Sequence, residues 1–424
     1  MGKTISEKIL SAKSGLDLKA GDIAWVNVDK AMLDDILGPR VQIAEHLPKL
    51  STGIKNVDNV VVISDHYTPP ATIKQAEIVK FTRDWSKEQG IKNYYEFKGP
   101  CHQVMAEEGH VVPGTVVLGT DSHTCMGGAL GAFASGVGST EMLGIISQGK
   151  TWLKVPETIL VEWSGELSEC VMAKDMVLNT IKHIGHAGAT YKAIEFVGSA
   201  IEALSVDQRM AITNMAVEMG AKVGLMNVDD KVKAYLHERG IDEFDIYQSD
   251  PDATYCQVLK FDASTLTAQV ACPHEVDNVH DVNTIKEKAI DQFYLGSCTG
   301  GRYSDLEMAA NIMKGKKIAD GVRFLVSPAS QSIWEKASET GILDILAKTG
   351  ATILAPTCGV CVGLHSGLLG ANERCLSTSN RNFIGRMGST EAEIYLASPA
   401  TVAISALTGV ITDPSQIAEM EKSV

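Results

Sequence analysis

The sequence predicts an α/β protein made of three successive α/β/α domains. At 424 residues the chain is too long for a single compact core. Short apolar runs with strand character alternate with helical patterns along the whole chain, which is typical of α/β layering. Hydrophobic residues make up 45% and charged residues 21%, an ordinary balance for a globular protein. We place the domains at residues 1–156, 157–263 and 264–424.

The first domain contains the clearest strand and helix patterns. Val60–Ser64 is a short apolar run that predicts a buried strand, and Ala71–Glu88 has the pattern of a helix. Val116–Thr120 predicts a second buried strand. The glycine-rich run Gly127–Gly138 lacks dinucleotide-binding spacing, so we interpret it as a place where backbones pack closely.

The second domain opens with a predicted strand at Glu157–Trp163, just past Pro156. Ser205–Met219 has helical periodicity, and Ser205 is a candidate N-cap residue. The acidic segment Ile241–Asp252 lacks apolar periodicity and predicts a solvated loop.

In the third domain, three predicted strands each end in a loop rich in polar or sulfur-containing residues. Functional sites of open α/β sheets gather at the carboxyl ends of strands, so these loops are candidate site segments. The three strands are Phe293–Gly296, Phe324–Val326 and Thr352–Leu354.

Charge and composition exclude several classes of function. The formal net charge of −14 argues against a nucleic-acid partner, which requires a basic surface. The longest apolar stretch, Pro399–Val410, is too short to span a membrane, and the polar N-terminus does not resemble a signal peptide. Nine scattered cysteines do not form a disulfide pattern, so we expect reduced thiols and a cytoplasmic location.

Three cysteines are candidate metal ligands. Cys358 and Cys361 form a C-x-x-C pair just after a predicted strand, and Cys298 follows another predicted strand. Three thiolates on strand-end loops suit a soft metal centre. The spacing alone leaves open a redox pair, a zinc site completed by Cys375 or His365, or simply packed thiols.

Gly144–Thr151 matches the P-loop pattern letter for letter. A P-loop needs a strand before it and a helix that opens at its lysine and threonine. The preceding segment Ser139–Ser147 is predicted to be a helix, and Pro156 leaves little room for a helix afterwards. We therefore predict that this segment does not bind nucleotide.

Histidines and carboxylates recur in chain order, most of them just past strand ends. A single Asp–His pair is more often a capped core histidine, but several such pairs favour a proton-transfer site. The residues concerned are Asp65, His66, His102, Asp121, Ser122 and His123.

Two further groups are candidate site residues. Asn214 and Glu218 are four residues apart and would lie on one face of their predicted helix. Asn380, Arg381 and Arg386 follow the cysteine pair, and arginine binds carboxylates bidentately. Both groups have a simpler interpretation as surface residues.

Three motifs together resemble the aconitase superfamily, most closely the large subunits of the 3-isopropylmalate dehydratase and homoaconitase type. The motifs are Gly-Ser-Cys298-Thr, Cys358-x-x-Cys361 and the run from Ser377 to Arg386 that contains Asn-Arg-Asn. The likeness covers nearly the whole chain. It implies three α/β/α domains around a central 4Fe–4S cluster bound by Cys298, Cys358 and Cys361. Three thiolates leave one of the four irons without a protein ligand, and a dicarboxylate substrate would bind to this open iron.

The resemblance also implies roles for the polar residues. His66 would handle a proton with Asp65, and His102 and His123 would line the pocket. The candidate catalytic set is Asp65, His66, His102, Asp121, His123 and Glu218, and the candidate substrate-binding set is Ser122, Asn214, Asn380, Arg381 and Arg386.

Some residues depart from the family pattern and leave the substrate open. Gly300 stands where related isomerases commonly have asparagine, and Asp34 and Cys125 are also unusual. We expect a 3-isopropylmalate dehydratase-type isomerase, with a 2,3-dimethylmalate dehydratase or a homoaconitase as alternatives. A cluster-dependent RNA-binding sensor is a more distant alternative, which the charge disfavours.

Single-chain aconitases continue into a fourth, swivelling domain that carries a serine base and further substrate arginines, whereas this chain stops shortly after its third domain. We therefore expect a separate small subunit to complete the active site.

Overall fold

The structure is a computed structural model that describes residues 2–285 and 288–417. The chain forms two compact units. The first unit comprises Met1–Glu96, Cys101–Trp163 and Ala187–Phe261, and the second comprises Phe97–Pro100, Ser164–His186 and Asp262–Val424.

The first unit is built on two sheets and a two-stranded ribbon. The larger sheet is entirely parallel, with its five strands in the spatial order Asn93–Glu96, Val60–Ser64, Lys30–Asp34, Val116–Gly119 and Phe133–Gly136. The smaller sheet has the order Val223–Met226, Ala193–Val197, Thr158–Ser164 and Gln257–Asp262, of which the first three are parallel. The ribbon pairs Ile23–Asn27 with Lys150–Lys154 in antiparallel fashion.

Helices and tight helical turns connect these strands. The α-helices of the first unit are Ile5–Ser14, Ala44–His46, Ile73–Glu88, Cys101–Glu107, Ser139–Gln148, Ser199–Ala203, Val206–Asn214 and Asp230–His237. Two 3-10 segments, Ser122–Leu130 and Met215–Met219, carry site residues.

The parallel five-stranded sheet is buried on both faces. In the strand Val60–Ser64, Val60 and Val62 belong to one hydrophobic core, whereas Val61 and Ile63 belong to the other. This alternation follows from the two-residue period of a strand. A strand that is covered on both faces has apolar residues at successive positions, so the strand Val60–Ser64 can be recognised from its continuous apolar sequence.

The second unit contains one seven-stranded sheet. Its spatial order is Val279–Asp281, Gln269–Ala271, Glu393–Ala397, Arg374–Ser377, Gln292–Leu295, Arg323–Val326 and Thr352–Ile353. The last five strands are parallel, and the first two form an antiparallel extension at one edge. The α-helices are Ala173–Ile184, Tyr303–Met313, Gln331–Glu339, Ile342–Thr349 and Pro399–Thr408.

The predicted α/β class is confirmed by these parallel sheets. Each of the three ranges predicted as domains contains one of the three larger sheets, although the helix Ala173–Ile184 lies in the second unit. The division into three domains stays a prediction.

The helix predicted at Ser205–Met219 begins as expected but ends early. Ser205 is its N-cap, and its side chain accepts a hydrogen bond from the backbone N–H of Gln208. The prediction of one continuous helix is wrong beyond Asn214, where a 3-10 segment follows. At this point the carbonyl of Asn214 also accepts a hydrogen bond from Cys125 Sγ at 3.2 Å. Short 3-10 segments are common at the C-terminal ends of α-helices.

The segment that matches the P-loop pattern does not have P-loop structure. Its first part lies in the helix Ser139–Gln148, and its last two residues begin the strand Lys150–Lys154. No helix opens at Lys150, so backbone N–H groups cannot surround a phosphate there. The prediction against a P-loop is confirmed for this part of the structure.

The close packing predicted for the glycine-rich run is also confirmed. A side chain at Gly128 would overlap the backbone carbonyl of Gly224, which lies on a strand of the smaller sheet. Among the residues that the structure describes, no helix has both the length and the apolar character needed to cross a bilayer.

Candidate active site

The first unit gathers histidines and carboxylates at the carboxyl ends of its parallel strands. Asp34 ends the strand Lys30–Asp34, Asp65 directly follows Val60–Ser64, and Asp121 lies two residues after Val116–Gly119. These ends share one edge of the sheet, where α/β proteins place their sites. We call the group the histidine–carboxylate cluster; its members are Asp34, Asp35, Asp65, His66, His102, Asp121, His123 and Glu218.

Asp121 is the centre of this cluster because it lies near three imidazoles. Its carboxylate oxygens are 3.7 Å from His66 Nε2, 3.5 Å from His102 Nδ1 and 3.4 Å from His123 Nδ1. Burial on its own would raise the pKa of Asp121, but the charge of His102 and hydrogen bonds from His123 and His66 hold it well below its usual value. Asp121 is therefore a carboxylate that can stabilise positive charge on these rings.

Two carboxylates orient His66. Its Nδ1 lies 2.7 Å from Asp65 Oδ1 and 3.3 Å from Asp35 Oδ1, and its backbone N–H donates to Asp35 at 3.0 Å. Asp65 is itself fixed by the backbone N–H of Cys101 at 2.7 Å. Burial opposes ionisation of Asp65, but the charge and hydrogen bond of His66 lower its pKa. With Nδ1 held in this way, Nε2 is the nitrogen that can exchange a proton with another group.

Asp35 was missed by the sequence analysis. Both of its oxygens accept backbone N–H groups, from His66 at 3.0 Å and from Tyr67 at 3.0 Å. Its signal in the sequence was weak: a second acidic residue directly after a short apolar run.

Glu218 supports the second histidine. Its side chain is 1% exposed, and Oε1 lies 2.8 Å from His123 Nε2. Asn214 is fully buried in the turn just before it. Ser122 is half-buried, and its Oγ lies 3.5 Å from His123 Nδ1. The structure therefore brings Glu218, Ser122 and Asp121 together around one imidazole.

The second unit gathers the predicted thiol ligands. Cys298 follows the strand Gln292–Leu295, and the pair Cys358 and Cys361 follows Thr352–Ile353. The side-chain amide of Asn380 lies between two of the thiols, because its Nδ2 is 3.5 Å from Cys298 Sγ and its Oδ1 is 3.5 Å from Cys361 Sγ. We call Cys298, Cys358, Cys361 and Asn380 the thiol cluster.

Two neighbouring residues also show that the thiols converge. Ser297 Oγ is 3.8 Å from both Cys298 Sγ and Cys361 Sγ. Burial, followed by the nearby charges of Cys361 and Cys358, raises the pKa of Tyr294 well above its usual value. Cys298 and Cys361 are 3% and 5% exposed, whereas Cys358 is half-buried. Cys298 and Cys361, which are far apart in sequence, thus lie close together.

The two arginines of the Ser377–Arg386 motif are half-buried. The Nε atom of Arg386 is buried and has no hydrogen-bond partner among the residues that the structure describes. A buried guanidinium donor without a partner is costly, and an anionic ligand would satisfy it.

Gly300 has a structural reason to be glycine in this chain. A Cβ at this position would overlap the Cβ and Oγ1 of Thr378. The absence of a side chain therefore lets the loop that carries Cys298 lie against the loop that carries Asn380.

Comparisons with known proteins identify the family of this chain. The sequence profile of the aconitase family (aconitate hydratase) matches residues 21–289 and 278–409. The chain is similar to the 3-isopropylmalate dehydratase large subunit 1 of Methanopyrus kandleri, with 49% identity over 98% of this chain and 99% of that protein. It is also similar to the 3-isopropylmalate dehydratase large subunit of Clostridium botulinum (strain Alaska E43), with 46% identity over 98% of this chain and all of that protein.

A solved structure supports the fold alone. The crystal structure of Thermococcus kodakaraensis aconitase X in its holo-form covers 98% of this chain with a TM-score of 0.50, at 13% identity. The resemblance drawn from the cysteine and Asn-Arg-Asn motifs is confirmed by the family match and by relatives that align over nearly the full length. The chain belongs to the aconitase family and is an enzyme of the hydro-lyase class.

Proposed function

We propose that this chain is the cluster-bearing large subunit of a hydro-lyase that dehydrates an alkyl-substituted malate, with 3-isopropylmalate as the first candidate. The observation that carries the proposal is the convergence of Cys298 and Cys361 on one amide, with Cys358 in the same loop as Cys361. The names of relatives that are 46% to 49% identical support the substrate.

The residues of the thiol cluster fit a 4Fe–4S cluster. All nine cysteines lie among the described residues and none forms a disulfide. Three soft ligands on loops of one unit match the preference of iron–sulfur centres for thiolates. When bound, such a cluster supplies a Lewis-acidic iron that polarises a substrate hydroxyl. Cys298, Cys358 and Cys361 would hold it.

A zinc site completed by Cys375 is less well supported. Cys375 lies inside the strand Arg374–Ser377, and burial raises the pKa of its thiol to about 12. It therefore resembles a core thiol more than a ligand. His365 is held by Ser366 Oγ, 2.7 Å from its Nδ1. Metal analysis separates the zinc and iron alternatives directly.

The chain's own residues supply the proton and the binding charge. His66, oriented through Nδ1 by Asp65 and Asp35, holds a proton at Nε2 that it delivers to the departing hydroxyl group. Arg381 and Arg386 bind substrate carboxylate, and His102 and His123 line the pocket with Ser122 and Asn214. The loss of this hydroxyl and of a neighbouring carbon-bound proton releases water and leaves an unsaturated diacid.

The base that removes the carbon-bound proton is proposed to come from a separate small subunit. The curated relatives are named large subunits and align with this chain from end to end, which supports a two-subunit enzyme. Re-addition of water in the other orientation would make the enzyme an isomerase. A reduced cytoplasmic setting suits exposed and half-buried thiols.

The first test measures the metal centre. The chain is reconstituted anaerobically with iron and sulfide, and then analysed for iron, sulfide, zinc and visible thiolate-to-iron absorption. We expect iron and sulfide in the wild type and their loss in Cys361→Ser. Cys256→Ser, which changes an exposed thiol in the first unit, is the matched control and should retain them. Wild-type iron and sulfide content in Cys361→Ser would refute the ligand assignment.

The second test measures the reaction. The chain is co-expressed with its small subunit and assayed with 3-isopropylmalate, 2,3-dimethylmalate, homocitrate and citrate under the same conditions. We expect the highest kcat/KM with 3-isopropylmalate. A clear preference for another acid would overturn the assignment of 3-isopropylmalate as the substrate, but not the assignment to the hydro-lyase class.

A further inference from the structure

A buried lysine lies behind the loops of the thiol cluster. Lys174, in the helix Ala173–Ile184, is 2% exposed. A buried ammonium is costly unless hydrogen bonds compensate for lost hydration. Its Nζ donates to the carbonyl of Ser379 at 2.7 Å, to the carbonyl of Thr378 at 3.1 Å and to Thr299 Oγ1 at 3.3 Å.

These three acceptors belong to the two loops that meet at the thiol cluster. Thr299 directly follows the ligand Cys298, and Ser379 directly precedes Asn380. One ammonium therefore holds the loop after the strand Gln292–Leu295 and the loop after the strand Arg374–Ser377.

The two loops also bind each other at the same place. Thr299 Oγ1 donates to the carbonyl of Thr378 at 2.8 Å. Thr378 Oγ1 in turn accepts from the backbone N–H of Gly296 at 2.9 Å and donates to the carbonyl of Gly296 at 2.9 Å. Lys174 thus completes a closed network rather than making a single contact.

The helix that carries Lys174 is itself anchored. The adjacent Asp175 is fully buried and accepts backbone N–H groups from Met172 and from Gln269, both at 2.8 Å. Gln269 begins a strand of the seven-stranded sheet. The helix that carries the Lys174 ammonium is therefore fixed to the sheet, and a residue that positions other groups needs such a rigid support.

We propose that Lys174 is a positioning residue that fixes the Cys298 loop against the Asn380 loop before the metal centre assembles, and that its charge favours the more negative redox state of that centre. Only the second effect, that of the charge on the redox state of the metal centre, rests on the proposed function. The first effect concerns the order of two loops in the metal-free chain, so it can be tested without any cluster.

The variants keep the approximate size of the side chain and separate the charge of Lys174 from one of its hydrogen-bond acceptors. Lys174→Met removes the charge and the three hydrogen bonds with little change in length, and Lys174→Arg keeps the charge. Lys182→Met is the matched control, because Lys182 lies in the same helix but is exposed, with its Nζ 4.0 Å from Asp281. Thr299→Val removes one acceptor of Lys174, together with the hydrogen bond from Thr299 to the carbonyl of Thr378, and keeps the shape of the side chain.

The metal-free test compares alkylation rates of individual thiols by mass spectrometry. We expect Cys298 to react at least about tenfold faster in Lys174→Met than in the wild type, since buried hydrogen bonds that hold its loop are lost. The rate for the core thiol Cys375 should stay unchanged in every variant, and Lys182→Met should match the wild type. Lys174→Arg should restore part of the protection of Cys298.

The loaded protein is tested by the rate of iron release to a ferrous chelator and by the midpoint potential. Lys174→Met should release iron faster and have a more negative potential, because a buried positive charge near the centre is lost. Lys174→Arg should keep the wild-type potential. Equal midpoint potentials in Lys174→Met and the wild type would overturn the proposed effect of the Lys174 charge on the redox state of the centre.

The outcomes separate this inference from the proposed function. If the wild type takes up no iron and sulfide, the proposed function fails, whereas the alkylation rates still decide the role of Lys174. If Lys174→Met is not folded by circular dichroism, Thr299→Val tests the same network and should accelerate alkylation of Cys298 to a smaller extent. Wild-type alkylation of Cys298 in a folded Lys174→Met overturns the positioning role.

Discussion

Replacing Asp34 with asparagine should change how stability depends on pH. Asp34 is fully buried, and burial raises its pKa from 3.8 to about 6. A tenfold change in a protonation equilibrium corresponds to about 1.4 kcal/mol, so the charged carboxylate costs the folded chain about 3 kcal/mol above pH 6. Between about pH 4 and pH 6 the folded state retains a proton that the unfolded state has lost. The free energy of unfolding therefore falls as pH rises through this window.

Asp34→Asn removes this titration but disturbs one hydrogen bond. The Oδ1 atom accepts from the backbone N–H groups of Ile36 at 2.7 Å and Leu37 at 2.6 Å, and an asparagine oxygen can do the same. Oδ2 accepts from Thr120 Oγ1 at 2.6 Å, and this bond must rearrange at a cost of about 1 kcal/mol. We expect the variant to be about 2 kcal/mol more stable than the wild type near pH 7.5.

The assay is urea denaturation of the metal-free chain between pH 4 and pH 7.5, for Asp34→Asn and for the exposed-site control Asp320→Asn. The advantage of Asp34→Asn over the wild type should grow as pH rises from about 4 to about 6 and then level off. The control should follow the wild type throughout. A difference between Asp34→Asn and the wild type that is the same at every pH would refute the reasoning.

The remaining predictions concern packing, a charged hydrogen bond and a helix cap. Gly300→Ala should lower the free energy of unfolding by about 1–3 kcal/mol because its Cβ overlaps Thr378. Gly144→Ala, in an open helical position, should raise the free energy of unfolding by roughly 0.5–1 kcal/mol. Urea denaturation measures both changes. Glu218→Gln should lower kcat/KM about tenfold by weakening the hydrogen bond to His123, while the exposed-site variant Glu202→Gln should retain wild-type kcat/KM. A Glu218→Gln enzyme with wild-type kcat/KM would contradict that role. Ser205→Ala should cost about 1 kcal/mol in thermal and urea unfolding through loss of the N-cap hydrogen bond to Gln208, and an unchanged midpoint would count against the cap.

The sequence predicted most reliably those elements whose burial leaves a simple pattern. Val60–Ser64 was predicted residue for residue because a strand covered on both faces is uniformly apolar. The helix predicted from Ala71 begins at Ile73 instead, because the side chain of Thr72 caps it by accepting from the backbone N–H of Gln75. Such a cap can be recognised in a sequence, but its position is easily misplaced by a residue or two.

Tertiary contacts explain what the sequence could not predict. The α-helix ends at Asn214, where its carbonyl accepts a hydrogen bond from the thiol of Cys125, a contact between distant segments that the local sequence does not show. The role of Asp35 depends on backbone N–H groups that are 31 and 32 residues away in sequence. Lys174 gave no local signal either, since its acceptors lie more than a hundred residues along the chain. Candidate ligands were recognised by motif, whereas the residues that support them required the fold.

The position of each strand within the seven-stranded sheet has a consequence for its thiols. Cys298 follows Gln292–Leu295, which has a paired neighbour on both sides, while Cys358 follows the two-residue edge strand Thr352–Ile353, which is paired on one side. Backbone amides of an interior strand exchange with solvent more slowly than those of a short edge strand. Cys298 therefore lies on a more rigid support than Cys358 and Cys361. In the proposed metal centre, the C-x-x-C loop would adjust its geometry to an incoming metal, while Cys298 would set the reference position.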